Sequence, residues 1–422
     1  MGCPIPAPAG WVSSLNVPVR GSLSRPARGL VKGQATTPAV HIERVRQGKG
    51  PVEKSWRMPH NSPLDKPPQN PIFPPGTTNP KLRLAHMAFV VARQFRGNNI
   101  EAIHYATIVV VDARGRITHA LGDPEQPFMT RSSIKPFQVL PLLNSGAADR
   151  YGFTSRQLAI MCGSHNGSDD HRRIVMQNLE AAGNTPNLLQ CGTHWPLQMQ
   201  LEQDYPASGE DRDPVRHNCS GKHSGFLALA RHIGQEPETY LDPDSELQTR
   251  VRHAIAAMTD YPADRLVPAV DGCSAPNYAL PLYNLALGFM RLATLQGPDP
   301  TTTEALRRVR EAMWAHPEMV SGKHRIDLDV MRSFPGNVVC KVGAEGVEGI
   351  GFADPPIGIA LKIHDGAGRA RPPVIVETLR QLGIIDNIAR FPFLMNRERP
   401  QVSNNRDLLT GHIVADFKLR ET

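Results

Sequence analysis

The sequence predicts a mixed α/β fold in which helices cover an antiparallel sheet. Three observations carry this prediction. Tyr105–Ala113 (YATIVVVDA), a turn at Arg114-Gly115 and Ile117–Leu121 read as a two-stranded hairpin. Val338–Val342, Val347–Phe352 and Ile357–Ile363 are short apolar runs joined by tight turns, which reads as an antiparallel meander. Between them lie segments whose apolar residues recur at helical spacing.

In chain order, Lys135–Ser145 is mostly apolar and reads as a buried helix. Its Pro136 is tolerated only in a first helical turn, which puts the helix start close to Ser132. His171–Ala182, Ser224–Ile233, Ser245–Met258, Asn277–Leu295 and Thr303–Ala315 carry the 3.6-residue period and read as further helices. The three C-terminal strands follow. No internal repeat is evident.

Composition divides the chain in two. Of the 422 residues, 40% are hydrophobic and 21% charged, ordinary values for a globular protein. The formal net charge of +7 is uneven: residues 1–85 hold 12 Lys+Arg against 3 Asp+Glu, and the other 337 residues hold 35 against 37. The first segment also carries 15 of the 39 prolines. It is expected to be a disordered Pro/Arg-rich extension, a start-site artefact or dispensable tail, ahead of one folded domain over 86–422. Basicity confined to that segment does not mark the body as nucleic-acid-binding, so no nucleic-acid partner is expected. The most apolar stretch, Ala279–Leu295, contains Asn284 and Arg291, which excludes a membrane span. Six cysteines do not form a disulfide framework at this length, and the opening MGCPIPAPAGWVSSL lacks the order of a secretory signal, so a cytoplasmic setting is expected.

Four segments could carry chemistry. In RSSIKPFQ (Arg131–Gln138), Ser132 and Lys135 stand three apart and share a face of a helical turn. A serine at a helix start, with a lysine in reach, suits an activated nucleophile, provided the lysine is held neutral by burial or nearby cations. The same pattern also fits a capping serine with a surface lysine. In CGSHNGSDDH (Cys162–His171), Ser164-His165-Asn166 has the S-x-N form, flanked by Gly163 and Gly167; a plain turn between helices fits equally. In CKVGAEGVEGIGF (Cys340–Phe352), Lys341-Val342-Gly343 has the K-x-G form on a strand, ahead of a glycine-rich turn against which a substrate could lie. The order S-x-x-K, S-x-N, K-x-G is that of serine β-lactamases and penicillin-binding proteins. The fourth segment is HNCSGKHSGFLA (His217–Ala228), taken with DGCSAPNYALPL (Asp271–Leu282). Together they offer Cys219, Lys222, His223, Asp271 and Cys273; two thiolates with nitrogen or oxygen donors suit Zn²⁺, and two buried structural cysteines are the alternative.

These motifs, with RGNNIEAIH, resemble in order those of the L-asparaginase II family, the zinc-containing Rhizobium etli type. The resemblance runs from about Arg96 to the C-terminus. It implies a fold similar to serine β-lactamases and glutaminases, and a catalytic domain over 86–422 that hydrolyses L-asparagine to L-aspartate and ammonia. It pairs Ser132 with Lys135 and Ser164 with Lys341, and implies Zn²⁺ on Cys219, Lys222 and Cys273, with a homodimeric assembly. Arg131, His223 and Asp271 are then expected to orient the substrate. Where many relatives read SHSGE, this chain reads Ser164-His165-Asn166-Gly167-Ser168, and loss of that carboxylate is expected to alter substrate affinity. A glutaminase, another serine–lysine hydrolase such as a β-lactamase or peptidase, and a basic-tailed nucleic-acid-binding protein are the competing readings. A lysine base predicts a rate that rises into the alkaline range.

Overall fold

A computed structural model of the chain describes residues 89–197 and 212–422. The expected extension at 1–85 lies outside the described residues. The architecture is mixed α/β. Strands β1 (Phe89–Arg96), β2 (Asn99–Asp112), β3 (Ile117–Leu121), β4 (Pro127–Met129), β5 (Pro268–Val270), β6 (Pro276–Pro281), β7 (Val338–Gly343), β8 (Val347–Phe352), β9 (Ile357–Ile363), β10 (Gln401–Ser403), β11 (Leu409–Ala415) and β12 (Arg420–Glu421) form two sheets. The larger has nine strands in the order β10-β11-β1-β2-β9-β8-β7, with β3 paired to β2 and β12 to β3. Its pairings are antiparallel. The smaller is β4-β6-β5.

The C-terminal meander β7-β8-β9 and the hairpin β2-β3 fall where the hydrophobic pattern placed them. Two elements differ. The apolar run Asn277–Leu295 is not one helix: Pro276–Pro281 is a strand, and the helix is Leu282–Thr294 with Pro281 as its N-cap. Proline has no N–H to continue a ladder, so the strand ends there and the helix begins. Lys135–Ser145 is likewise broken at Val139 into Lys135–Gln138 and Leu140–Asn144, each with a proline in its first turn.

The helix Leu282–Thr294 lies across β2, β8 and β9. Glycine in β8 makes this close packing possible: a Cβ at Gly349 would overlap the Phe289 ring, which packs edge-on against Phe137. Thus the glycines of VEGIGF serve helix–sheet contact. Among the described residues, no helix is long and apolar enough to cross a membrane.

Candidate active site

Ser132 stands in a 3₁₀ turn, Arg131–Ile134, that runs directly into the helical turn Lys135–Gln138. Residues three apart eclipse in a 3₁₀ turn, so Ser132 and Lys135 lie on one side of it. The turn is held in an uncommon shape. Arg131 has φ +50, in the left-handed region that costs a non-glycine residue on the order of 1–3 kcal/mol. The neighbouring contacts over-determine it: Arg131 N–H donates to Asn277 Oδ1 (2.9 Å), Asn277 Nδ2 donates to Arg131 O (2.9 Å), and Arg131 Nε donates to Asp271 Oδ1 (2.7 Å). On the other side β7 closes in. A Cβ at Gly343 would come within 2.8 Å of Thr130 O, so only glycine lets the strand end approach the serine turn.

Ser164 follows the helix Ser155–Met161. Its N–H donates to Val320 O (2.8 Å), which fixes the loop, and a Cβ at the preceding Gly163 would lie 2.6 Å from Met319 O. The Ser164 hydroxyl sits between two buried amines, 2.9 Å from Lys135 Nζ and 3.0 Å from Lys341 Nζ. Lys135 Nζ also donates to Gly163 O (2.7 Å) and Cys219 Sγ (3.1 Å), and Lys341 Nζ to Val342 O (2.7 Å). No hydrogen bond joins Ser132 Oγ to Lys135, so both lysines converge on Ser164. Burial, the Lys135 ammonium and Arg325 push Lys341 down to about 7, against the opposing pull of Asp327. Ser132 and Ser164 open on one cavity of about 470 Å³, also lined by Asn218, Ile326, Gly343 and four arginines.

The second cluster adjoins the first through Cys219. Lys222 Nζ donates to Cys273 Sγ (3.1 Å), and Cys219 Sγ donates to Asn218 Oδ1 (3.4 Å). The neighbouring Cys219 thiol holds the Cys273 thiol far below the usual thiol range, against burial and with help from Lys222 and His223. Burial pulls Lys222 down, but the two sulfurs outweigh it and leave it above its ordinary value. His223 is buried, and its Nδ1 meets Tyr240 Oη at 2.7 Å. Its Nε2 has no hydrogen-bond partner. Among the described residues, no group of three or more His, Cys, Asp and Glu side chains is arranged to hold a metal ion. The set to be judged is therefore two sulfurs and one amine nitrogen.

The expected site residues are thus distributed over adjoining clusters: Ser132, Ser164, Lys135 and Lys341 about the cavity, and Cys219, Lys222 and Cys273 beside it. Arg131 and Asp271 pair with each other, and neither they nor His223 line the cavity. Asn166 turns away: its Nδ2 donates to Lys323 O (2.9 Å). Ser168 caps the helix Asp169–Ala181 in a capping box with His171. Sequence reasoning missed Asn277, although it stands four residues beyond Cys273 in the same motif, because that stretch reads as helix. It also missed Arg325 and Arg371, which no local pattern marks.

The sequence matches the family described as L-asparaginase II over residues 92–415, more than half of the chain. The chain belongs to the L-asparaginase II family. A comparison with curated proteins finds no match. Among solved structures, the L-asparaginase II chain is similar to Mglu in its native form at 4.3 M NaCl (16% identity, 66% of this chain and 60% of that one, TM-score 0.36). It is also similar to a class C β-lactamase from Rhodobacter sphaeroides (11% identity, 66% and 94%, TM-score 0.35). A D-alanine carboxypeptidase from Burkholderia cenocepacia gives 14% identity, 66% and 93%, and TM-score 0.33. With TM-scores below 0.5, none of these likenesses bears on the assignment.

Proposed function

We propose that the protein is an L-asparaginase of the zinc-containing Rhizobium etli type, hydrolysing L-asparagine to L-aspartate and ammonia by serine–lysine acyl transfer. The observation that carries this reading is the Ser164 hydroxyl bridging two buried lysines, one of them pushed down to about 7.

In the proposed mechanism Ser132 attacks the side-chain amide carbon. It is the half-buried serine on the cavity, while Ser164 is engaged by both amines. Two ammonium groups on one hydroxyl repel, so the pair holds fewer than two protons at neutral pH. A proton passed from Lys135 through the Ser164 hydroxyl to Lys341 leaves Lys135 as the amine beside Ser132. Lys135 then accepts the Ser132 proton as the C–O bond forms. The backbone N–H groups of the first helical turn stabilise the oxyanion. Lys341, through Ser164, supplies the proton with which ammonia departs, and water hydrolyses the aspartyl ester. Asp271 and His223 do not line the cavity, and the bond from Arg131 to Asp271 is assigned to holding the turn that carries Ser132.

Soft sulfur and amine donors suit Zn²⁺, and Cys219, Lys222 and Cys273 would hold it. When bound, the ion supplies a fixed positive charge that orients the substrate rather than the reacting atoms. Binding displaces the Lys222 proton, so affinity falls as pH falls. A cytoplasmic homodimer is the proposed setting.

The test is ammonia release from L-asparagine and L-glutamine by the wild type and Ser132→Ala. Asparagine turnover reduced about 10³-fold or more in the variant is expected. Full turnover by the variant would move the nucleophile to Ser164. No release from either amide by the zinc-loaded wild type would overturn the reading. Faster release from glutamine would make the enzyme a glutaminase, since one methylene is worth only about 1–3 kcal/mol of discrimination.

A further inference from the structure

The cavity over Ser132 and Ser164 has a one-sided charge. Its lining includes Arg325, Arg369, Arg371 and Arg397, and no aspartate or glutamate. Three of these guanidinium groups are already engaged. Arg397 pairs with Asp329 (2.7 Å). Arg371 pairs with the buried Glu348 (3.3 Å) and donates to Gly343 O (3.2 Å) and Val347 O (3.3 Å). Arg369 Nε reaches His104 Nε2 (3.3 Å). Arg325 differs: among the described residues it makes no ion pair and no side-chain hydrogen bond, although it is half-buried on the cavity wall. The other arginine near the nucleophile, Arg131, is neutralised by Asp271 at 2.7 Å.

We propose that Arg325 binds the α-carboxylate of the substrate, and so decides that the enzyme takes amino-acid amides rather than simple amides. This rests on the amidohydrolase reading of the same site. The physical case is one of complementarity. A half-buried guanidinium without an ion-pair partner, on a cavity wall that carries no carboxylate, gains most when an anion enters the cavity. A carboxylate matches the planar guanidinium fork with two parallel N–H···O bonds, which a lysine would not reproduce. Arg325, on the wall of the cavity that Ser132 opens on, would take the carboxylate. The substrate's charged end would then be held by the guanidinium fork and its amide carbon directed at Ser132. The cost of misplacing that carbon makes such fixing effective in catalysis.

The test compares L-asparagine with β-alaninamide, which is asparagine without its α-carboxylate, on wild type, Arg325→Met and Arg325→Lys. Arg325→Met is expected to lower kcat/KM for asparagine roughly 10- to 100-fold, mainly through KM. It should change β-alaninamide turnover less than about twofold, so the preference for the amino acid collapses. Arg325→Lys should recover part of the asparagine loss. A parallel titration measures L-aspartate and β-alanine binding without turnover, and the variant should weaken only aspartate. Equal loss on both amides, or unchanged asparagine kinetics and aspartate binding, would overturn the proposal. Aspartate binding that depends on Arg325 without ammonia release would keep the carboxylate site and remove the hydrolase reading. Ammonia release untouched by Arg325→Met would do the reverse.

Discussion

Lys341 and Lys222 lie in neighbouring clusters, both buried, and are driven in opposite directions. Lys341 faces a hydroxyl and a second lysine, and falls to about 7. Lys222 faces two thiols, and rises above its ordinary value. Burial alone lowers a lysine's affinity for its proton in both places. The difference comes from the partner: a cation adds to desolvation, and a sulfur that becomes thiolate reverses it. One cluster is thereby prepared to accept a proton, and the other, on the proposed zinc site, would exchange its protons for the cation.

The largest effect that could break this contrast is replacement of Lys341. Lys341→Met is expected to lower asparagine turnover about 10²- to 10⁴-fold, the usual share of a general acid–base group. Lys341→Arg should be no better, because a guanidinium does not deprotonate. Recovery by arginine would mean that the site needs only a charge there. Lys222→Met sharpens the other half. It should remove tightly bound zinc, measured by metal content after dialysis. It should lower turnover less than Lys341→Met does, since among the described residues the cysteine cluster is hydrogen bonded to the two lysines at Ser164 through Cys219 and Lys135 alone. Turnover lost to the same degree in both variants would make the metal part of the chemistry. Among the smaller effects is Gly163→Ala. Its Cβ would meet the backbone oxygens of Met319 and Val320, which have no rotamer to yield, so a loss of about 1–3 kcal/mol in unfolding free energy is expected. Denaturant unfolding of the variant checks this.

Much of the candidate site was legible because its residues come in short motifs. Ser132 and Lys135 share a turn, and Cys219 and Lys222 share another. Contacts between motifs were not legible. Pairing by motif joins Ser132 to Lys135, whereas the folded chain adds a bond from Lys135 to Ser164, 29 residues on. Among the strands, β7, β8 and β9 announce themselves as apolar runs between turns. Strands β1 (FVVARQFR) and β11 (LTGHIVA) do not, since they alternate weakly and gain their stability by pairing with each other across most of the chain. Asn277–Pro281 reads as helix because the apolar run continues into Leu282–Thr294, and only tertiary pairing with β4 and β5 makes it a strand. Arg325 carries no local signal, because its meaning lies in what the other cavity arginines have already taken.

The proposed chemistry depends most on a lysine that is neutral near physiological pH. The most direct measurement is kcat/KM for ammonia release from L-asparagine between about pH 5 and pH 10 on the zinc-loaded enzyme. The lysine pair must shed its second proton before Lys135 can act as base, so the rate should rise with pH, with a midpoint near the value of about 7 at Lys341, and level off in the alkaline range. A rate that is highest in acid and falls through neutrality would contradict a lysine base at this site.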